Sequence, residues 1–345
     1  MDVEFLLGAH RVLEPRGVLP QAAWKLDASL PIHPTEMLLD VQVLNIDAAS
    51  FRQMKEAVRG DPEGIGRQVL ETVRVRGKQH NPVTGSGGML IGRVREVGRE
   101  YRGRLDVRPG DAVATLVSLS LTPLQLRAVR EVHPDRDQVE VEGHAILFSS
   151  GIAARLPEDL PETLALAVLD VAGAPAQTRR LVRPGMQVGI LGSGKSGLLA
   201  AAVARQAVGP EGRVYALDLD PRGPELLVGL GYAHVGLVAD ARNPVDVLKK
   251  VDQATGGRMF DVTLNTANVP GTEMATVIAT RDGGTAYFFN MATSATAATL
   301  GAEGVGKDVV LEMGNGYVPG HAEFALDLVR REAPLRAVLE RRYTR

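Results

Sequence analysis

Apolar residues fall into two kinds of run along this chain. In the first 150 residues they alternate with polar ones over short stretches. "MLLDVQVLNI" (37–46) and "MLIGRVREVG" (89–98) each alternate in part, as half-buried strands do. "RPGDAVATLVSL" turns at residues 109–111 and runs into a further strand. "SFRQMKEAV" (50–58) reads as a short helix with Ser50 as its N-cap. From about Leu160 the period lengthens. "PETLALAVLDVAGAPAQTRRLV" reads as helical segments broken near residues 173–175. Strand "MQVGIL", helix "GLLAAAVARQA", strand "RVYALDLD", helices at "ELLVGLG" and "DVLKKVDQATGG", and strands at "FDVTLNTA" and "GTAYFFN" follow. Such alternation predicts a parallel sheet covered on both faces. The expected class is α/β, with a β-rich domain at 1–160 and a doubly wound domain at 161–311. Residues 312–345, a strand and an amphipathic helix, are expected to return to the first domain.

Composition narrows the picture. At 345 residues, 45% of them hydrophobic, the chain is too long for one typical core. A net charge of −2 without a long basic tract gives no reason to expect a nucleic-acid or membrane-surface partner. The opening "MDVEFLLGAHRVLEP" has acids where a secretory leader carries lysine or arginine, and no apolar run is long enough to span a bilayer. A cytoplasmic protein is expected. There is no cysteine, which excludes disulfides, thiolate zinc sites, iron–sulfur clusters and cysteine nucleophiles. The seven histidines show no paired ligand spacing, so no metal site is expected.

One stretch carries two phosphate-binding patterns at once. "GILGSGKSG" (189–197) read from Gly189 is G-x-x-x-x-G-K-S, the loop of a nucleotide hydrolase. Read from Gly192 it is G-x-G-x-x-G, the dinucleotide fingerprint. The second reading keeps "MQVGIL" whole as a strand. It also finds its acid: Asp218 ends the next strand at 218 − 197 = 21 residues past the last glycine, where a carboxylate bonds the ribose hydroxyls. The cofactor candidates are therefore Gly192, Ser193, Gly194, Lys195, Ser196, Gly197 and Asp218, with Thr266 and Asn290 at the ends of later strands. Asp218 would repel a 2′-phosphate, which favours NAD over NADP. Arg222, four residues on, is placed to soften that preference.

A β-rich domain followed by this turn resembles the medium-chain dehydrogenase/reductase superfamily. "MLIGRVREVG…GDAVA" and "RPGMQVGILGSGKSG" are similar to its signatures. The resemblance implies a GroES-like first domain, a Rossmann second domain and hydride transfer. Departures matter. Asp47 stands where zinc-dependent members have a cysteine, and Gly88 where they have a histidine. "AHRVLEPRGVLPQAAWKLD", "LNIDAASFRQ" and "NPVTGSGGMLIG" resemble the L-erythro-3,5-diaminohexanoate dehydrogenase family, zinc-free members of that superfamily. That resemblance implies a small diamino-acid substrate, NAD, oxidative deamination within lysine fermentation, and a homodimer. The alternative is a zinc-independent quinone, enoyl or alcohol oxidoreductase.

Amine oxidation needs a general base rather than a metal, because the nitrogen lone pair must be free when hydride leaves. Asp47 is the first candidate, in a position that faces the nicotinamide in the superfamily. Asp170, a charge inside an apolar run, is the second. Ser50 is a candidate for orienting the substrate. Ser86, Gly87 and Gly88 are candidates for offering N–H groups to its carboxylate. His80, Tyr317, His321 and Lys307 are weaker candidates.

Overall fold

The computed structural model describes residues 3–82, 85–314 and 316–344, without the side chains of Ala48 and Ala49. The chain divides into two compact units, Met1–Leu166 and Ala167–Arg345. The division falls within six residues of the expected 160/161 boundary.

In the first unit, helix α1 (Val3–Leu7) precedes a small ribbon of β1 (Val12–Glu14) and β2 (Lys25–Leu26). Strand β3 (Glu36–Asn45) leads into helices α2 (Ala48–Ala57) and α3 (Pro62–Arg76). Then come β4 (Met89–Val97), β5 (Ala112–Thr115), β6 (Leu124–His133), β7 (Gln138–Phe148) and β8 (Ala153–Arg155). The antiparallel sheet has the order β6-β7-β3-β4-β5-β8. β3 is central, pairing with β4 on one side and β7 on the other. Burial on both faces, broken chiefly at Gln42, is why its sequence alternates only in part. Ile65, Val69 and Val73 of α3 pack into the same core as Leu39, Leu44, Leu90 and Val141.

The second unit follows helix α4 (Glu162–Leu169), inside which the division falls. Its elements are α5 (Gly173–Leu181), β9 (Gln187–Leu191), α6 (Lys195–Ala207), β10 (Arg213–Asp218), α7 (Arg222–Gly229), β11 (Val235–Val238), α8 (Pro244–Thr255), β12 (Phe260–Asn265), α9 (Glu273–Ala279), β13 (Thr280–Phe288), α10 (Ala295–Gly304), β14 (Val309–Met313), α11 (His321–Arg331) and α12 (Ala333–Tyr343). Every pairing is parallel, in the order β11-β10-β9-β12-β13-β14. Renumbered from β9 this is 3-2-1-4-5-6, the doubly wound order whose reversal lies beside the first strand.

Gly189 lies inside β9, paired with Tyr215 and Thr263, so the hydrolase loop has no place to form. Three expectations need correction. The helical break after α4 falls at residues 170–172, because Pro175 sits in the first turn of α5, where a missing N–H costs nothing. The short helix starts at Ala48, with Asp47 rather than Ser50 as its N-cap. Residues 312–345 belong with the second unit: β14 extends the parallel sheet, α11 packs against α5, and α12 packs against α6.

Candidate active site

The glycine turn between β9 and α6 uses its three glycines differently. Gly192 has φ +94°, and a Cβ there would lie 2.8 Å from the Ala267 nitrogen. A Cβ on Gly197 would lie 1.9 Å from the Gly192 carbonyl oxygen, so helix and turn touch only because it is glycine. At Gly194 the place of a Cβ meets nothing within 4 Å. Gly194 is also the N-cap of α6 and brings no side-chain cap to the helix N–H groups. Beside it, the Ser193 hydroxyl is buried without a partner. Open space at Gly194, uncapped helix donors and an orphaned hydroxyl are what a diphosphate would fill.

Asp218 closes one side of this turn. One carboxylate oxygen accepts the Ser193 N–H at 2.6 Å and the other accepts the Asp220 N–H at 3.1 Å. A carboxylate has about four acceptor sites, so both oxygens keep capacity for ribose hydroxyls. Gly223 lets α7 approach, since a Cβ there would lie 2.6 Å from the Ser193 Cβ. Arg222 does not reach towards the cofactor turn. Its Nε and terminal amine donate to Asp220, which corrects the expectation that it softens the cofactor preference.

Three other candidates are placed by hydrogen bonds. The Thr266 hydroxyl faces the Leu191 and Gly192 carbonyls at 3.0 Å, locking the turn from behind. Asn290 donates to Asn265 at 3.2 Å, and its oxygen accepts from Ala292 N–H and the Thr293 hydroxyl. Fully buried Asn265 organises this end of the sheet, a role with no local sequence signal. Lys195, in the first turn of α6, forms an ion pair with Asp170 at 2.7 Å. Asp170 is therefore a paired carboxylate.

In the first unit, Asp47 follows β3 and caps α2. Its Oδ1 accepts the Ser50 N–H at 2.9 Å, and its Oδ2 accepts the Ser50 hydroxyl at 2.5 Å. Ser50 Oγ in turn accepts an N–H from Asn81 at 2.9 Å, whose amide also donates to Gln53 at 3.0 Å. Ser50 is only 1% exposed, and its backbone N–H and hydroxyl hold Asp47. Asn81 is a partner of this group that sequence reasoning missed, because it lies 31 positions from Ser50. A cleft of about 670 Å³ is lined by residues that include Ser50, Gln53, His80 and Asn81.

The loop before β4 is built by packing. Gly88 has φ +84°, and a Cβ there would lie 2.0 Å from the Asn45 carbonyl oxygen. No ligating side chain fits that position in this backbone. The Gly87 N–H donates to Ser118 Oγ at 3.1 Å, which withdraws it as a donor to a substrate carboxylate. The Ser86 carbonyl accepts the Asn81 N–H at 2.8 Å, tying the loop to the Asp47 chain. Val83 and Thr84 of this stretch lie outside the described residues.

The weaker candidates recede. Burial, then the charges of Lys78 and Arg76, push the His80 imidazole down to about 4, so it is neutral near pH 7. Its Nδ1 lies 2.8 Å from an Arg76 amine. Burial also lowers His321, which meets the Tyr317 ring edge-on at 5.3 Å. Lys307 donates to the Thr280 carbonyl. Among the described residues one group could gather a metal, namely Glu131, His133 and Glu140. The β6–β7 hairpin brings them together, which is why linear spacing did not reveal them. An Arg136 amine 3.3 Å from His133 Nδ1 already sets a cation there.

A family model and two relatives of nearly full length name one family. Residues 10–157 match the model of the L-erythro-3,5-diaminohexanoate dehydrogenase N-terminal domain. Over 337 residues the chain is 50% identical to the L-erythro-3,5-diaminohexanoate dehydrogenase of Acetoanaerobium sticklandii, covering 97% of this chain and 98% of that protein. The enzyme of the same name from Fusobacterium nucleatum is 49% identical over the same shares. Among solved structures, an alcohol dehydrogenase from Thermotoga maritima aligns with a TM-score of 0.55 at 16% identity, over 89% of this chain and 85% of that one. That likeness bears on the fold, a GroES-like domain followed by a Rossmann domain.

Proposed function

The chain belongs to the L-erythro-3,5-diaminohexanoate dehydrogenase family, and from that premise we propose that it oxidatively deaminates L-erythro-3,5-diaminohexanoate with NAD. The products are 5-amino-3-oxohexanoate and ammonia, in a step of lysine fermentation. The observation that carries this reading is 50% identity over 97% of the chain. The family and fold establish a nicotinamide cofactor. The choice of NAD is supported by Asp218, whose carboxylate faces the turn where a 2′-phosphate would meet like charge.

The residues divide the work as follows. The turn at 192–197 and the N-terminus of α6 hold the diphosphate, and Asp218 holds the adenosine ribose. Bound NAD supplies the hydride acceptor. Asp47 takes the proton from the substrate's C3 ammonium, which frees the lone pair that becomes the carbon–nitrogen double bond as hydride departs. Once that proton has passed to solvent, the same carboxylate takes a proton from the water that attacks the iminium carbon, returns it to the nitrogen of the adduct, and takes the hydroxyl proton as ammonia leaves and the ketone forms. Ser50 fixes both oxygens of Asp47, and Asn81 fixes Ser50. A carboxylate so oriented loses no freedom at the moment of proton transfer.

The test is NADH formation by the purified protein on L-erythro-3,5-diaminohexanoate, on other β-amino acids and on simple alcohols, with NAD and NADP in parallel. Turnover of the diamino acid with NAD is expected. Turnover of alcohols alone would leave only the superfamily assignment.

A further inference from the structure

Lys195 is an odd residue to begin α6. A helix N-terminus carries about half a positive charge, and a lysine in its first turn adds like sign to like. Gly194 contributes no side-chain cap to offset it. The offset comes from Asp170, which arrives from the short link between α4 and α5, 25 positions earlier, and meets the Lys195 ammonium at 2.7 Å. The two side chains are 18% and 32% exposed, so water screens the pair only in part. The Lys195 ammonium also lies 5.4 Å from the centre of the Tyr343 ring in α12, which limits where it can swing. A cation is thus stationed at the diphosphate end of the helix, with an anion stationed on it.

We propose that Asp170 is a positioning residue that moderates cofactor affinity through Lys195. The lysine adds attraction for the diphosphate, and Asp170 cancels part of it. NAD enters and NADH leaves at every turnover, and a site of undiminished positive charge would hold the more negative NADH longest, where release commonly limits the rate. This proposal rests on the nicotinamide-cofactor reading and assigns Asp170 a task other than proton transfer.

Equilibrium titration of the purified full chain with NADH and with ADP-ribose tests it without any turnover. Asp170→Asn is expected to tighten both ligands roughly three- to tenfold, the scale of a partly shielded charge at a helix end. Lys195→Met is expected to weaken both about tenfold by the same reasoning. In the Lys195→Met background, Asp170→Asn is expected to change nothing, because the charge it moderates is gone. Asp170→Ser, measured alongside, guards against a folding defect peculiar to asparagine and is expected to match it. Weaker or unchanged binding in both Asp170 variants overturns the proposal. So does tightening that persists without the lysine, which would make Asp170 a direct repellent. If the unmodified protein binds neither ligand, the cofactor reading falls first and this one with it.

Discussion

Replacing Asp47 by asparagine separates its two tasks. Asparagine caps a helix as well as aspartate does, so α2 keeps its start. The loss is local. Asp47 now accepts the Ser50 N–H on one oxygen and the Ser50 hydroxyl on the other. Asparagine has one oxygen, which stays on the Ser50 N–H, and its amide then faces Ser50 Oγ. That hydroxyl already receives an N–H from Asn81 at 2.9 Å. The Ser50 oxygen has two acceptor sites and can take both amide N–H groups, but its proton no longer meets a carboxylate. Loss of that charge-assisted bond costs about 1–3 kcal/mol of stability. Loss of a general base lowers turnover by about 10²-fold or more, which is about 2.7 kcal/mol on the barrier. Three measurements on one preparation decide the matter: kcat from NADH formation, a urea melt, and an NADH titration. Binding is expected to persist, because the diphosphate turn belongs to the second unit. Ser50→Ala is the comparison, since it removes the hydroxyl anchor on Oδ2 and leaves the carboxylate; it is expected to lose similar stability but less turnover than Asp47→Asn. If Asp47→Asn melts earlier yet turns over nearly as fast as the unmodified protein, Asp47 is a helix cap and the base lies elsewhere.

The remaining expectations are narrower. Asp218→Asn removes the charge facing a 2′-phosphate, so the ratio of kcat/KM for NAD over NADP is expected to fall by about tenfold, or 1.4 kcal/mol; an unchanged ratio would show that Asp218 does not set the preference. Burial raises the Glu36 carboxyl, but hydrogen bonds from His10, Arg11 and the His33 N–H outweigh it and bring it down to about 2 from an ordinary 4.5. A depressed carboxyl stabilises the fold above its unfolded value, so about 3 kcal/mol is expected to drain away as pH falls from 4.5 towards 2, and urea midpoints across that window should flatten in Glu36→Gln. Gly88→Ala forces a side chain into the left-handed region and onto the Asn45 carbonyl. It is expected to cost at least about 2 kcal/mol, and a denaturation midpoint equal to that of the unmodified protein would refute the packing argument.

The cofactor half of this protein is legible in its sequence because its signals are local. A strand, a glycine at positive φ, a helix and an acid 21 residues later specify the turn at 192–197 with no knowledge of the rest of the chain. Glycine reports a backbone angle and periodicity reports which face is buried, and both act over a few residues. Some local signals were there and still passed over: Asp61, Pro62 and Gly77 bracket α3 with an N-cap, a first-turn proline and a left-handed stop. What the tertiary structure alone decided is partnership. Asp47 looks like a turn acid until Ser50 and Asn81 close on it, and Asn81 comes from beyond a second helix. Asp170 looks like a charge stranded in an apolar run until Lys195 meets it from 25 positions away. Gly87 looks like a free donor until Ser118 takes its N–H. A carboxylate, an amide or an ammonium has the same chemistry wherever it stands in the sequence. Its task depends on which group lies within 3 Å of it, and packing of the whole unit brings that group there.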